Sequence, residues 1–237
     1  MTLRFDHAII AVHDLDTATA NYQALGFNAL YGGVHTGGTT HNALIYFADG
    51  SYLELLAPTG NAPDPGATRT DFSALVAGGE GLIGCAFGAE NLQSAAAPMR
   101  ERGLALTELR KGGRERSDGV ALQWESVGIE GSLSPFFIGD VTAHTLRVLD
   151  DTDSTAQPNS VTGIAEVHFL KSAALSQRYA QIFGAEQDTY EVSGTIIKLI
   201  DPPDGTQPSD APYALVFAGA STPFDTAKTH GARLHIP

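Results

Sequence analysis

Cysteine is almost missing. Cys85 stands alone among 237 residues, so no internal disulfide can hold the fold, and in the apolar "LIGCAFG" it reads as a small core residue suited to a reducing compartment. No apolar run reaches the roughly 20 residues that span a bilayer. The amino terminus "MTLRFDHAIIAVHDLD" puts His and Asp where a signal peptide needs an unbroken apolar stretch, so a cytoplasmic protein is expected. Positive charge is also scarce. With 14 basic against 27 acidic residues, the net charge of −13 sets up a field that repels phosphate backbones and anionic membranes. Nucleic-acid and membrane roles are therefore not expected, and the partners are small molecules or protein. One stretch runs against the trend: residues 100–116, "RERGLALTELRKGGRER", hold six of the 14 basic residues. It reads either as a solvated surface relieved by Glu101, Glu108 and Glu115 or as an anion-attracting rim.

What the chain does have is a repeat. "DHAIIAVHDLDTATANYQALGF", "LIGCAFGAENLQSAAAPMRERGL" and "GIAEVHFLKSAALSQRYAQIFGA" share one plan: a strand, a polar cap (Asp14 or Asp16, Asn91, Ser172), an amphipathic helix, and a glycine stop (Gly26, Gly103, Gly184). Three short strand-like runs follow each helix. In the second module they are expected at "LALTELR", "VALQWESV" and "SLSPFFIG", which leaves "RKGGRER" as a turn. The predicted fold is α+β, built from three βαβββ modules. The first two, residues 1–57 and 80–139, pair within 1–145 into a cup-shaped sheet. Residues 146–160 are a linker, and 161–237 form a third βαβββ-like module and tail, packing alone or across a dimer. Residues 58–71 and 201–212, rich in Pro and Asp, are read as further linkers or loops. An odd number of modules makes a homodimer the expectation.

The strand "GSYLELLAP" is apolar on both faces yet carries Glu54 in its middle. An ionised carboxylate in such a place costs several kcal/mol unless a cation, a metal or hydrogen-bond donors face it. Strand alternation puts His7 on one face of the first strand and Glu54 on one face of the fourth, so the two can meet inside the cup. Imidazole and carboxylate are the ligands that hold Zn, Fe, Mn or Ni. They also make a buried hydrogen-bonded pair without metal, or a general base whose pKa an apolar cup would raise.

A βαβββ module with His in its first strand and Glu in its fourth resembles the vicinal oxygen chelate superfamily of glyoxalases, extradiol dioxygenases and bleomycin-resistance proteins. More narrowly, "FDHAIIAVHDLDTATANYQALGF", "GTTHNALIYFADGSYLELLAP", "GGRERSDGVALQWESV" with "SPFFIG", and "QPNSVTGIAEVHF" together resemble its glyoxalase-like domain family. The resemblance implies a cup in which a divalent metal (Fe, Mn, Ni or Zn) binds a small oxygen-rich substrate for lyase, isomerase or dioxygenase chemistry. The implied metal ligands are His7, Glu54 and His41, with Glu54 also the catalytic group. His35, just before the third strand, is a second candidate beside His41; ordinary local hydrogen bonding is the alternative for both. Asn42, which follows Gly38 and Thr39 in "GTTHN", shapes the pocket wall.

Arg114 and Arg116 stand where the family has its Arg-rich stretch and would clamp a substrate carboxylate, and Trp124 would give an aromatic wall or plain core packing. The second module departs from the pattern, offering Gly84 against His7 and Phe136 or Phe137 against Glu54. His168 of the third module falls in the wrong strand phase for a ligand. The missing ligands favour a second reading, a non-catalytic protein that binds a drug or metabolite. A structural or regulatory protein assembled through the third module is a further possibility.

Overall fold

Asp14, Asn91 and Ser172 each turn a side-chain oxygen onto a backbone N–H three residues on, those of Thr17, Ser94 and Leu175. That bond satisfies one of the donors every helix start leaves unpaired. Gly26, Gly103 and Gly184 then take φ of 82°, 83° and 86°, a conformation that stops a helix with no Cβ to object. These paired signals delimit α1 (Leu15–Ala24), α2 (Leu92–Glu101) and a third repeat helix (Ala173–Phe183). The computed structural model describes residues 3–62 and 76–237. Of the expected linker at 58–71, residues 63–71 lie outside the described residues.

The first module contributes β1 (Arg4–Ala11), β2 (Leu30–His35), β3 (Thr40–Tyr46) and β4 (Tyr52–Pro58). The second contributes β5 (Gly81–Gly88), β6 (Arg110–Glu115), β7 (Ala121–Val127) and β8 (Phe136–Asp140). The eight strands close on themselves in the order β1-β4-β3-β2-β6-β7-β8-β5, so the expected cup is a closed barrel. β1 is the hinge of the arrangement, parallel to β4 of its own module and antiparallel to β5 of the next.

One expected strand moves. Of "LALTELR", residues 104–109 contribute only an isolated bridge, Leu106 to Ile129, while "RKGGRE", starting at Arg110 and read as a turn, forms β6 and pairs with β7 over six residues. Its glycines weaken it as a strand on propensity alone. They are required by packing, however, because a Cβ on Gly112 would enter the indole of Trp124 and one on Gly113 would meet the Leu122 carbonyl.

After β8 come two single-turn helices, α3 (His144–Arg147) and α4 (Thr152–Thr155). The stretch 146–160 is thus more than a tether: Arg147, Val148 and Gln157 in it are buried, and the Gln157 amide donates to the Tyr46 carbonyl at 2.8 Å. The third module follows as β9 (Gly163–Leu170), α5 (Ala173–Phe183), β10 (Thr189–Val192), β11 (Thr195–Ile200) and β12 (Ala214–Ala218). A two-residue β13 (Leu234–His235) from the tail is added beside β12.

Among the described residues the third module's five-stranded sheet is separate from the barrel. Its helix-covered face shares one core with the outside of the barrel, where Phe183 meets Phe87 at 5.7 Å and Phe217 meets Phe27 at 5.6 Å. Its other face carries Glu166, bonded to both His168 (2.6 Å) and Lys198 (2.6 Å). His168 therefore faces away from the barrel interior, as its strand phase predicts.

Candidate active site

The barrel encloses a cavity of about 440 Å³ whose walls include His7, His35, Asn42, Tyr52 and Glu54 from the first module. The second module adds Arg110, Lys111, Arg114, Trp124 and Phe136, and Arg147 comes from α3. Ile9, Leu44, Leu56 and Ile138 make the rest of it apolar. His7 and Glu54, placed together by alternation alone, do meet: Nε2 of His7 lies 3.6 Å from Oε2 of Glu54.

Glu54 is almost sealed from solvent, and three groups answer the puzzle of its burial. The Asn42 amide donates to Oε1 at 2.8 Å, His35 Nε2 stands 3.5 Å from Oε1, and His7 stands at Oε2. Burial pushes the Glu54 carboxyl up, but His35, His7, the Asn42 amide and the Arg114 guanidinium together outweigh it, leaving the pKa below the usual carboxylate range. This reverses the expectation of a raised pKa. The cup is apolar in its walls, but the positions touching this carboxylate are donors.

His7 is held from behind by a network that sequence reasoning did not find. Its Nδ1 lies 2.7 Å from Oδ1 of Asp6. Burial raises the Asp6 carboxyl, but Arg147 and then His7 pull it well below its ordinary value, so Asp6 is a carboxylate and the shared proton sits on Nδ1. Nε2 is then the ring nitrogen on the cavity side, facing Glu54. The His7 ring lies flat on Tyr52, centroids 4.5 Å apart, and meets the edge-on ring of Phe136 at 5.7 Å.

Arg147 uses all five of its N–H donors. They go to both oxygens of Asp6 (2.8 and 2.9 Å), both oxygens of Asp140 (2.5 and 3.1 Å) and the Tyr52 hydroxyl (2.8 Å). One guanidinium thereby ties β1, β4 and β8 together beneath the cavity. The only local hint was Asp6 directly before His7 in "FDHA"; Arg147 lay in the segment read as a linker.

His41 is not at the site. Asn42 points in, so its neighbour on the same strand points out, and the His41 ring sits on the outer face 6.2 Å from Tyr31. Its inward place is taken by His35 at the end of β2. A break in β2–β3 register between Tyr31 and Gly33 sets that phase, and Gly33 there has φ 129° with no room for a Cβ against the Glu115 carbonyl. Sequence alternation alone does not show such a bulge.

Arg114 is buried at the cavity wall, donating to the Gly32 carbonyl and, at 3.5 Å, to the Tyr46 hydroxyl. Arg116 lies outside the cavity lining and is spent on Asp118 (2.6 Å) and the Leu146 carbonyl (3.2 Å). Arg110 and Lys111, adjacent on β6, are exposed and line the cavity in its place. Trp124 forms part of the wall and meets His35 edge to face at 6.0 Å.

Zn, Fe, Mn and Ni sites draw at least three protein donors to one point; Nε2 of His35 and of His7 lie 3.5 and 3.6 Å from the two Glu54 oxygens, while among the described residues no group of three His, Cys, Asp or Glu side chains stands in the geometry of a metal site. All the candidate donors come from the first module. Opposite them, Ala86 is in register with His7, and β8 turns Phe136 and Ile138 into the cavity. The remaining charged side chains of the wall are cationic.

A glyoxalase-like domain family matches residues 5–183 of the chain. A hypothetical protein from Staphylococcus aureus is similar in structure over 99% of this chain and 100% of its own, at 16% identity and a TM-score of 0.76. A Streptomyces coelicolor methylmalonyl-CoA epimerase variant in complex with 2-nitronate-propionyl-CoA aligns over 60% of this chain and 100% of its own, at 25% identity and a TM-score of 0.42. The Mycobacterium tuberculosis methylmalonyl-CoA epimerase aligns over 58% and 88%, at 19% identity and a TM-score of 0.44. No curated protein matches the chain. No helix among the described residues is long and apolar enough to cross a membrane.

Proposed function

The chain belongs to the glyoxalase-like domain family, and from that premise we propose that it is an enzyme moving a proton at a carbon next to a carbonyl in a small, oxygen-rich, anionic substrate. The observation that carries this reading is the row Asp6, His7, Glu54. A histidine whose Nδ1 proton is committed to one carboxylate presents Nε2 to the cavity, with a second ionised carboxylate beside it. His7 takes the proton. The imidazolium that results is stabilised from both sides, by Asp6 at Nδ1 and Glu54 near Nε2, so its formation inside a largely apolar cavity is not penalised as an isolated charge would be. Glu54 is catalytic here as the fixed anion. Its lowered pKa makes it a weak base and a permanent charge partner. Asn42 and His35 keep it in place, Arg110, Lys111 and Arg114 draw in and orient the substrate anion, and Trp124 with Phe136 walls the site from water.

A metal-assisted lyase, isomerase or dioxygenase is the reading the superfamily suggests; it ranks second in this chain because the donors that would hold the metal, His7, His35 and Glu54, are engaged with one another and with Asn42. The lack of such donors from the second module favours a further reading, capture of a small molecule without turnover. Neither reading assigns a nucleic-acid or membrane partner, and a homodimer in the cytoplasm remains the proposed state of the protein.

The experiment is deuterium exchange at the carbon beside the carbonyl of 2-oxo and 3-oxo carboxylates in D2O, followed by NMR, with elemental analysis of the same sample. Exchange by metal-free protein that disappears in His7→Ala supports proton transfer. Binding without exchange supports capture. Stoichiometric Fe, Mn, Ni or Zn, lost in His7→Ala and Glu54→Gln, would overturn the metal-free assignment.

A further inference from the structure

With 27 acidic residues against 14 basic ones, every cation of the chain has carboxylates to choose from. Arg4, Arg116, Arg147, Arg178, Lys171 and Lys198 each stand in an ion pair. Strand β6 breaks the pattern: among the described residues no carboxylate is in ion-pair contact with Arg110, Lys111 or Arg114. β6 pairs with β7 without a register shift, so Arg110 and Arg114, four positions apart, share one face and stand about 13 Å apart at Cα. Both line the cavity. Gly112 between them adds no side chain, and the Trp124 indole fills the space over it. Arg114 is buried, and its guanidinium donates only to neutral groups, the Gly32 carbonyl and, at 3.5 Å, the Tyr46 hydroxyl. Its charge reaches Glu54 from beyond ion-pair contact. A buried guanidinium in that state is unfavourable until an anion joins it. Arg110 is exposed at the cavity edge, and its register partner on β7 is Ser126, which also lines the cavity. The Ser126 hydroxyl has no hydrogen-bond partner among the described residues.

We propose that this wall of β6 and β7 is a two-point seat for a substrate with two carboxylates. The carboxylate beside the reacting carbonyl pairs with Arg114 inside the cavity, and a second one pairs with Arg110 and the Ser126 hydroxyl at its edge. Trp124 lies along the carbon chain between them. Extended, a five-carbon diacid separates its carboxyl carbons by roughly 5 Å, and a bonded guanidinium adds roughly 4 Å at each end, which together match the spacing of the two arginine positions. The substrate class is therefore a short-chain 2-oxo dicarboxylate rather than a monoacid. The inference rests on the proposed function for the oxo acid head alone; the second charge comes from Arg110 and Ser126.

Trp124 is the single tryptophan of the chain and stands over Gly112 between the two arginines, so its fluorescence follows occupancy of the seat. The test titrates full-length protein with 2-oxoglutarate and with 2-oxopentanoate, which keeps the five carbons and loses the distal carboxylate. 2-Oxoglutarate is expected to bind about tenfold or more tightly, the usual worth of one charge-assisted pair. In Arg110→Gln the two acids come within about twofold of each other, and in Ser126→Ala the ratio falls part of the way. Lys111→Gln keeps the ratio, because alternation puts that side chain on the opposite face. A ratio under about twofold in the unaltered protein overturns the seat, as does a ratio that survives Arg110→Gln or is lost equally in Lys111→Gln. Exchange at C3 of the same two acids, read by NMR in D2O, keeps the two proposals apart. Exchange of both acids without an affinity ratio removes the seat and leaves proton transfer standing, whereas the ratio without exchange keeps the seat and removes proton transfer.

Discussion

The two modules of the barrel are built on the same helix cap, the same glycine stop and the same order of elements, yet they do opposite things with their inner faces. The first turns His7, His35, Asn42 and Glu54 inward. The second turns in Trp124, Phe136 and Ile138 and adds exposed Arg110 and Lys111 at the edge. The shared features lie on the outside, where capping and core packing make the same demands of each copy. Interior positions of a closed barrel are freer, because a change there need only preserve volume and satisfy its own polar atoms. The imidazoles and the carboxylate of the cavity thus come from one module and its aromatic and cationic side chains from the other, with Arg147 joining the two across the floor.

The largest effect is expected from removing the imidazole of the first module. His7→Ala should slow proton exchange in the NMR assay by about 10²- to 10⁴-fold, the usual worth of a positioned proton carrier. Phe136→Ala, on the recognition side, should change affinity more than exchange rate.

Cutting the link between the modules comes next. Arg147→Ala leaves Asp6 and Asp140 with only the partly exposed Arg4 guanidinium between them, at 3.1 and 3.3 Å, and chemical denaturation should show a loss of about 3 kcal/mol, as expected when the buried cation of an ion network is removed.

Converting one module toward the other is a gentler test. Phe136→His places an imidazole opposite His7 and Glu54 on the wall that lacks one, and calorimetry with Zn²⁺ should show affinity raised by about tenfold or more over the unaltered protein.

The acid limit of the shared floor gives a smaller effect. Burial raises the Asp140 carboxyl, but His144 and Arg147 pull it down from 3.8 to about 2. Because the folded value is the lower one, the stability it contributes is complete above pH 3.8 and lost as pH falls through about 2. A series of denaturation midpoints between those limits should be flatter in Asp140→Asn. Arg116→Ala, outside the cavity, should move neither exchange nor stability by more than about 0.5 kcal/mol.

Much of this was legible beforehand, and for identifiable reasons. Asp14, Asn91 and Ser172 announce helices because a cap acts through bonds three residues away. His7 and Glu54 were paired correctly because each lies on a regular strand whose alternation holds. Where regularity fails, so did the reading. Gly33 introduces a bulge, and the inward histidine became His35 instead of His41. "RKGGRE" looks like a turn by propensity, and only the indole of Trp124 over Gly112 shows why glycine belongs in a strand there. Arg147 sits in a polar stretch that resembles a tether, and its partners, Asp6, Tyr52 and Asp140, are between 7 and 141 positions away.

Short-range periodicity and capping lead from the residues alone to three repeated modules, a cup made of two of them, and an imidazole and a carboxylate that can converge inside it. The folded chain adds that the cup closes into a barrel, that Glu54 is held ionised, that Nε2 of His7 faces the cavity, and that the barrel wall is thinnest where β2 meets β6. Those outcomes depend on which side chains from distant segments come within hydrogen-bonding reach, and burial makes each such contact decisive for charge.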